Sequence, residues 1–213
     1  MASKTTRKPA KVAKKAAGES PSANSRGTRH VLFVQGGGKG AHDQWDDKLV
    51  ASLERALGPD YDIRYPRMPN ERAPSFKAWG ATLGREIARL DDGAILVGHS
   101  IGGTILIHAL AEQPKLLRNI AAVHLIAAPF VGDGGWPSDD IVSPQNWAAP
   151  FAGVTVYLYQ GDADKTTPNT HVDLYAKAIP QAHVRRLKGR DHQLNNDLSE
   201  IAEDIPEWEG KPR

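Results

Sequence analysis

Apolar residues along this chain fall into two kinds of run, and the two alternate. Short apolar runs end at glycine or proline, while longer segments repeat an apolar residue every three or four positions. His30 to Gln35 reads as a strand that stops at Gly36-Gly37-Gly38. A helix from about His42 to Leu57 follows, with Trp45, Leu49, Leu53 and Leu57 on one stripe. Asp60 to Tyr65 reads as a second strand, ended by Pro66 and Pro69. Ser75 is placed to cap a helix reaching about Leu90, whose stripe is Phe76, Trp79, Leu83, Ile87 and Leu90. A third strand spans 93–98, and a helix runs from Ser100 to about Glu112, closed before Pro114. Ile120 to Ala127 is the next strand, followed by a Pro/Gly/Trp-rich excursion over 129–151. Val154 to Tyr159 and His183 to Leu187 complete the strands, with a helix between them from near Asn169 to before Pro180. A last helix is expected from about Asn196 to Glu207.

Six strands alternating with helices predict an α/β fold: a mainly parallel sheet, right-handed crossovers, and helices on both faces in three layers. Ala94-Ile95-Leu96-Val97 is apolar at every position, as a strand covered on both sides requires. A chain of 213 residues suffices for one such domain, expected over 29–213, and no internal repeat appears.

Charge separates the first residues from the rest. Residues 1–29 carry eight Lys/Arg and one acid, a net +7, whereas the remainder is −5. Residues 1–28 are Lys, Ala, Ser, Thr and Pro with little that is bulky and apolar, which predicts a disordered basic tail. It reads first as a solubilising extension; a nucleic-acid or anionic-surface arm, or a mitochondrial transit peptide, is the functional alternative. No apolar run approaches a membrane span, so no membrane partner is expected. The absence of cysteine excludes disulfides, thiol catalysis and Cys-based zinc sites, and fits a cytoplasmic protein.

The chemistry concentrates where the third strand meets its helix. Gly98-His99-Ser100-Ile101-Gly102 matches G-x-S-x-G in the strand–turn–helix setting of a nucleophile elbow. Such a turn is expected to bring the residues two before and two after the serine nearly into contact, which glycine allows at Gly98 and Gly102. A serine hydroxyl needs an adjacent base, and in an open parallel sheet the partners lie beyond the carboxyl ends of later strands. Asp164 follows the fifth strand and His192 the sixth, in the order Ser, Asp, His. The expected roles are Ser100 as nucleophile, His192 as base and Asp164 as its orienting acid. Asp162 and Asp133 are alternatives for the acid. The oxyanion is expected to meet the N–H groups of Ile101 and of Gly37, with Gly38 next.

Gln35-Gly36-Gly37-Gly38, Gly98-His99-Ser100-Ile101-Gly102-Gly103, Gly161-x-x-Asp164-x-x-x-Pro168 and Gly189-x-x-His192 together resemble the serine hydrolases of α/β-hydrolase fold. The chain is similar in particular to the small, lidless esterases of the retinoblastoma-binding-protein type. The resemblance covers about 29–205 and implies that the sheet lacks the family's first two strands. Gln35 stands where that family usually has histidine. A Leu-x-Cys-x-Glu motif cannot exist without cysteine, so nothing points to a retinoblastoma partner.

The resemblance implies a carboxylesterase acting on small acyl esters, with no cofactor. A thioesterase, amidase or acyltransferase on the same residues, or a non-catalytic binding scaffold, is the alternative. Trp136 and Trp147 are candidates to wall the substrate cleft, together with Gln35 and His99, although the His99 side chain should point away from Ser100. His108, His124 and His183 read as structural. No His/Asp/Glu spacing suggests a metal site, and Gly38-Lys39-Gly40 does not meet the phosphate-loop pattern.

Overall fold

A computed structural model describes Met1 and residues 27–142 and 144–206; most of the expected basic tail over 1–28, including all of its basic residues, lies outside these. The described chain forms one six-stranded sheet, parallel throughout, in the order β2-β1-β3-β4-β5-β6. The strands are β1 (Arg29–Val34), β2 (Tyr61–Arg64), β3 (Ala94–His99), β4 (Ile120–Ile126), β5 (Thr155–Gly161) and β6 (His183–Leu187). Between them lie helices α1 (Asp47–Leu57), α2 (Phe76–Ile87), α3 (Ser100–Glu112) and α4 (Thr170–Ala178), and α5 (Ser199–Glu203) follows β6 as the last element among the described residues. This is the α/β-hydrolase fold.

Alternation along the strands sorts the core into two layers. Val31, Phe33, Ile95 and Val97 face α1 and α5, where Leu49, Leu53, Leu198 and Ile201 pack on them. Leu32, Val34 and Leu96 face the other way, against Trp79 and Leu83 of α2, Ile105 and Leu106 of α3, and Val172 and Tyr175 of α4. Each fully buried side chain of this size stabilises the fold by about 1.5–3 kcal/mol.

Three expectations are corrected. The helix before β2 opens with a wide π-helical turn, Ala41–Asp46, before the regular α1. The extra residue in that turn rotates Trp45 off the Leu49/Leu53 stripe, leaving it 52% exposed, and buries Asp46 instead. Ser75 occupies the N-cap of α2 but makes no capping bond; Asp140 accepts the Phe76 N–H in its place. The last helix is shorter than its periodicity suggests, because Leu194, Asn195 and Asn196 have φ of 46°, 57° and 57°, a left-handed run that no right-handed helix contains. The Asp191 carboxylate fixes this run by accepting the N–H of Gln193 at 3.0 Å and of Asn195 at 2.8 Å.

Candidate active site

β1, β3, β5 and β6 all deliver their carboxyl ends to one edge of the sheet, and the loops that follow them meet there. Ser100 sits at the β3–α3 junction with φ of 51°. A non-glycine residue there stores roughly 1–3 kcal/mol of backbone strain. The junction closes differently from the expectation. A Cβ on Gly98 would lie 2.6 Å from Gly103 Cα, so Gly98 packs on Gly103. Gly102 instead faces β1.

His192 lies in the loop after β6, with Nε2 at 3.0 Å from Ser100 Oγ and Nδ1 at 2.9 Å from Asp164 Oδ2. Asp164 is buried in the turn after β5. Its Oδ1 accepts the N–H of Thr166 at 2.7 Å and of Thr167 at 3.0 Å, while Oδ2 also accepts Gln160 Nε2 at 2.9 Å. Burial disfavours its charge, but the bond from His192, the N–H groups of Thr166 and Thr167 and the nearby imidazole outweigh that and hold the carboxyl below its usual range. An ionised Asp164 can only accept, so His192 Nδ1 carries a proton, and in the neutral imidazole it is Nε2 that turns its lone pair to the Ser100 hydroxyl. Asp162 goes elsewhere, accepting the Gly189 N–H at 2.6 Å, and Asp133 is exposed.

The glycine loop after β1 is held by two carboxylates that periodicity did not single out. Asp46 Oδ2 accepts the Gly36 N–H at 2.6 Å. Glu71 accepts the N–H of Gly40 at 2.8 Å, the N–H of His42 at 3.0 Å and Gln35 Nε2 at 3.0 Å. One signal for Asp46 was present: it lies three residues before Leu49 and four before Val50, an acid on an apolar stripe. Glu71, in a turn without periodicity, gave none.

Among the oxyanion candidates, the Gly38 N–H is committed to the Glu71 carbonyl at 2.6 Å, which withdraws it. Gly37 lies against Ile101, since a Cβ there would come 2.8 Å from Ile101 Cγ2. Ile101 is the second residue of α3, where a backbone N–H has no acceptor within the helix.

Three of the four residues expected to line the cleft serve inside the protein. Gln35 is fully buried, its Oε1 accepting the Met68 N–H at 3.0 Å while Nε2 reaches Glu71, so it ties the glycine loop to the segment before α2. His99 is buried as well, with both ring nitrogens engaged by Asp46 and by the His192 carbonyl. Trp147 is 8% exposed and packs on His108, Phe130, Phe151 and Tyr175. Trp136, 39% exposed and edge-on to His171, keeps a face open. The excursion that carries these tryptophans lies along the body, tied to it by Asp140 on the Phe76 N–H, and a bridge between Val131 and Trp136 closes its first turn. Among the described residues there is no cluster of His, Asp and Glu able to hold a metal ion, and no helix long and apolar enough to cross a membrane.

The model of the serine hydrolase family matches residues 32–192, from β1 to the histidine beyond β6. The chain belongs to the serine hydrolase family. Solved structures share the fold at low identity. Est1E from Butyrivibrio proteoclasticus is 13% identical with a TM-score of 0.62, over 87% of this chain and 88% of that one. A YdeN-like hydrolase from Pectobacterium atrosepticum is 20% identical with a TM-score of 0.57, over 84% and 94%. The monoacylglycerol lipase of Paleococcus ferrophilus is 16% identical with a TM-score of 0.57, over 84% and 96%. No curated protein sequence matches the chain.

Proposed function

We propose that this serine hydrolase is a carboxylesterase that cleaves small acyl esters through an acyl-enzyme on Ser100. The observation that carries the reading is the continuous hydrogen-bonded chain from Ser100 Oγ through His192 to the buried Asp164. Ser100 Oγ attacks the acyl carbon as its proton passes to His192 Nε2, and Asp164 stabilises the imidazolium that forms. The oxyanion is received by the N–H groups of Gly37 and Ile101, each worth about 2.7–4 kcal/mol of the barrier. Collapse expels the alcohol, which takes the proton from His192. Water then gives a proton to His192, attacks the acyl carbon and releases the acid, restoring Ser100.

Small esters are favoured because the excursion over 129–151 lies on the body and leaves no cover for a long acyl chain. The esterase and lipase among the similar structures are consistent with ester chemistry. A fluorophosphonate probe and a chain-length series of p-nitrophenyl esters test the reading. Wild type should be labelled and should turn over acetate and butyrate faster than decanoate, while Ser100→Ala does neither. A folded wild type that takes no label and cleaves no ester overturns it.

A further inference from the structure

His99 is the residue before the proposed nucleophile, yet it turns into the protein and bridges two loops. Its Nδ1 lies 2.9 Å from Asp46 Oδ2 and its Nε2 lies 3.0 Å from the His192 carbonyl oxygen. A backbone carbonyl can only accept. Asp46 also behaves as an acceptor throughout: Oδ2 takes the Gly36 N–H at 2.6 Å and Oδ1 takes Gln193 Nε2 at 3.3 Å. With an acceptor at each ring nitrogen, both must donate, and only the imidazolium does so.

We propose that His99 is a permanent imidazolium and that the His99–Asp46 pair is a positioning device, clamping the glycine loop and the His192 loop at one setting around Ser100. The positioning half of this rests on the hydrolase reading above. From the pair, Asp46 holds Gly36, the residue before the proposed oxyanion donor Gly37. Both members then hold the base loop, His99 through the His192 carbonyl and Asp46 through the Gln193 side chain. The rings of His99 and His192 stand 5.0 Å apart, so a small shift of His99 is passed to the base directly.

The electrostatics agree with the geometry. Burial opposes charge on His99, but the carboxylate of Asp46, the hydrogen bond to it, the His192 carbonyl and the more distant Asp164 outweigh it and raise the imidazole above its ordinary range. Burial likewise opposes charge on Asp46, and His99, the Gly36 N–H and Gln193 together hold its carboxyl below the usual range. The ionisable groups around the pair are Asp164 after β5, His192 after β6, and Tyr65, whose hydroxyl donates to the His42 carbonyl at 2.9 Å. None of them supplies a second positive charge in contact with His99 while His192 is neutral.

The test has a spectroscopic and a kinetic arm. In long-range proton–nitrogen NMR spectra of wild type at pH 8.5, one histidine should show both ring nitrogens protonated. Its identity follows from its disappearance in His99→Gln or, if that variant fails to fold, from its contact with the Gly36 amide proton. An unprotonated nitrogen on His99 at that pH overturns the imidazolium. Asp46→Asn should lower kcat on p-nitrophenyl acetate by about 10²-fold, with KM changed less than about threefold, as misplaced but intact chemistry requires. A wild-type kcat in Asp46→Asn overturns the positioning role. A wild type that cleaves no ester overturns the hydrolase reading and the positioning role with it, and the ionisation of His99 is still read from its spectrum.

Discussion

Gly102 turns its missing side chain onto Gln35: a Cβ there would stand 2.0 Å from the Gln35 carbonyl oxygen and 2.9 Å from its carbon. The second glycine of the elbow motif thus sets how closely α3 approaches the end of β1, where the glycine loop begins. Neither atom of the Gln35 backbone can yield as a flexible side chain would. Gly102→Ala should therefore push α3 from β1 and destabilise the fold by at least about 1–3 kcal/mol, the usual cost of overpacking. For a domain of this size each kcal/mol lowers Tm by roughly 2–4 °C. A Gly102→Ala protein with the wild-type Tm and esterase rate would show that the two backbones are not in contact.

The four bonds at Asp164 separate two functions of one carboxylate. Oδ1 shapes the turn through Thr166 and Thr167, and Oδ2 faces His192. Asp164→Asn keeps the side-chain volume but presents an amide that can donate, so His192 loses the preference for a proton on Nδ1. On the proposed mechanism kcat for p-nitrophenyl acetate should fall by about 10⁴-fold, with KM little altered. Asp162→Asn serves as the control, because Asp162 bonds the Gly189 N–H and not the imidazole. Equal losses in the two variants would remove Asp164 from its proposed role.

Trp45 and Trp79 both lie on apolar stripes in the sequence, and the structure assigns them opposite weights. Trp79 is fully buried and donates from Nε1 to the Pro69 carbonyl at 2.7 Å. Trp45 is exposed, with the Lys48 ammonium 5.7 Å from its ring centre. Trp79→Ala should cost about 3–5 kcal/mol. Trp45→Ala should stay within about 0.5 kcal/mol, as surface changes do. Urea unfolding of the two variants checks the contrast, and comparable losses would mean that the π-helical turn before α1 is absent in solution.

These differences mark how far the sequence was legible. Strands such as β3 and β4 announce themselves because a strand covered on both faces is apolar at nearly every position, and that is a local property. The order of Ser100, Asp164 and His192 could be read because parallel topology sends the carboxyl end of every strand to the same edge. Asp46 and Glu71 were not read, since their partners are distant: Asp46 meets His99 across 53 positions and Glu71 meets Gln35 across 36. Gln35 and His99 were expected in the cleft for a related reason. A polar residue beside a glycine loop or a nucleophile looks like ligand surface until its buried partners are known. The left-handed run at 194–196 depends on Asp191 accepting backbone N–H groups, which hydrophobic periodicity does not register.

Buried histidines, His124 and His108 foremost, set the acid limit of the fold. His124 on β4 stacks on Tyr157 at 4.8 Å, with Nδ1 2.9 Å from the Tyr159 hydroxyl, which itself donates to Asp204 at 3.0 Å. Burial, reinforced by the charge of Arg29, pushes the His124 pKa down to about 3, and burial takes His108 to about 4. An unfolded chain titrates its histidines near ~6.5. Below that pH the unfolded state binds protons that folded His124 and His108 refuse, so their contribution is whole above about 6.5 and erodes as pH falls towards about 3. Asp46 and Asp164, with folded values below the usual range, lose their contribution only below about 3.9. Stability should therefore begin to decline between pH 6.5 and 5, where carboxylates are still ionised. His124→Phe keeps a ring on Tyr157 and removes one of these titrations. The drop in urea midpoint from pH 7.5 to pH 5 should be smaller in this variant than in wild type, even if its stability at pH 7.5 is lower. An equal drop in both would mean that His124 is not held neutral by burial.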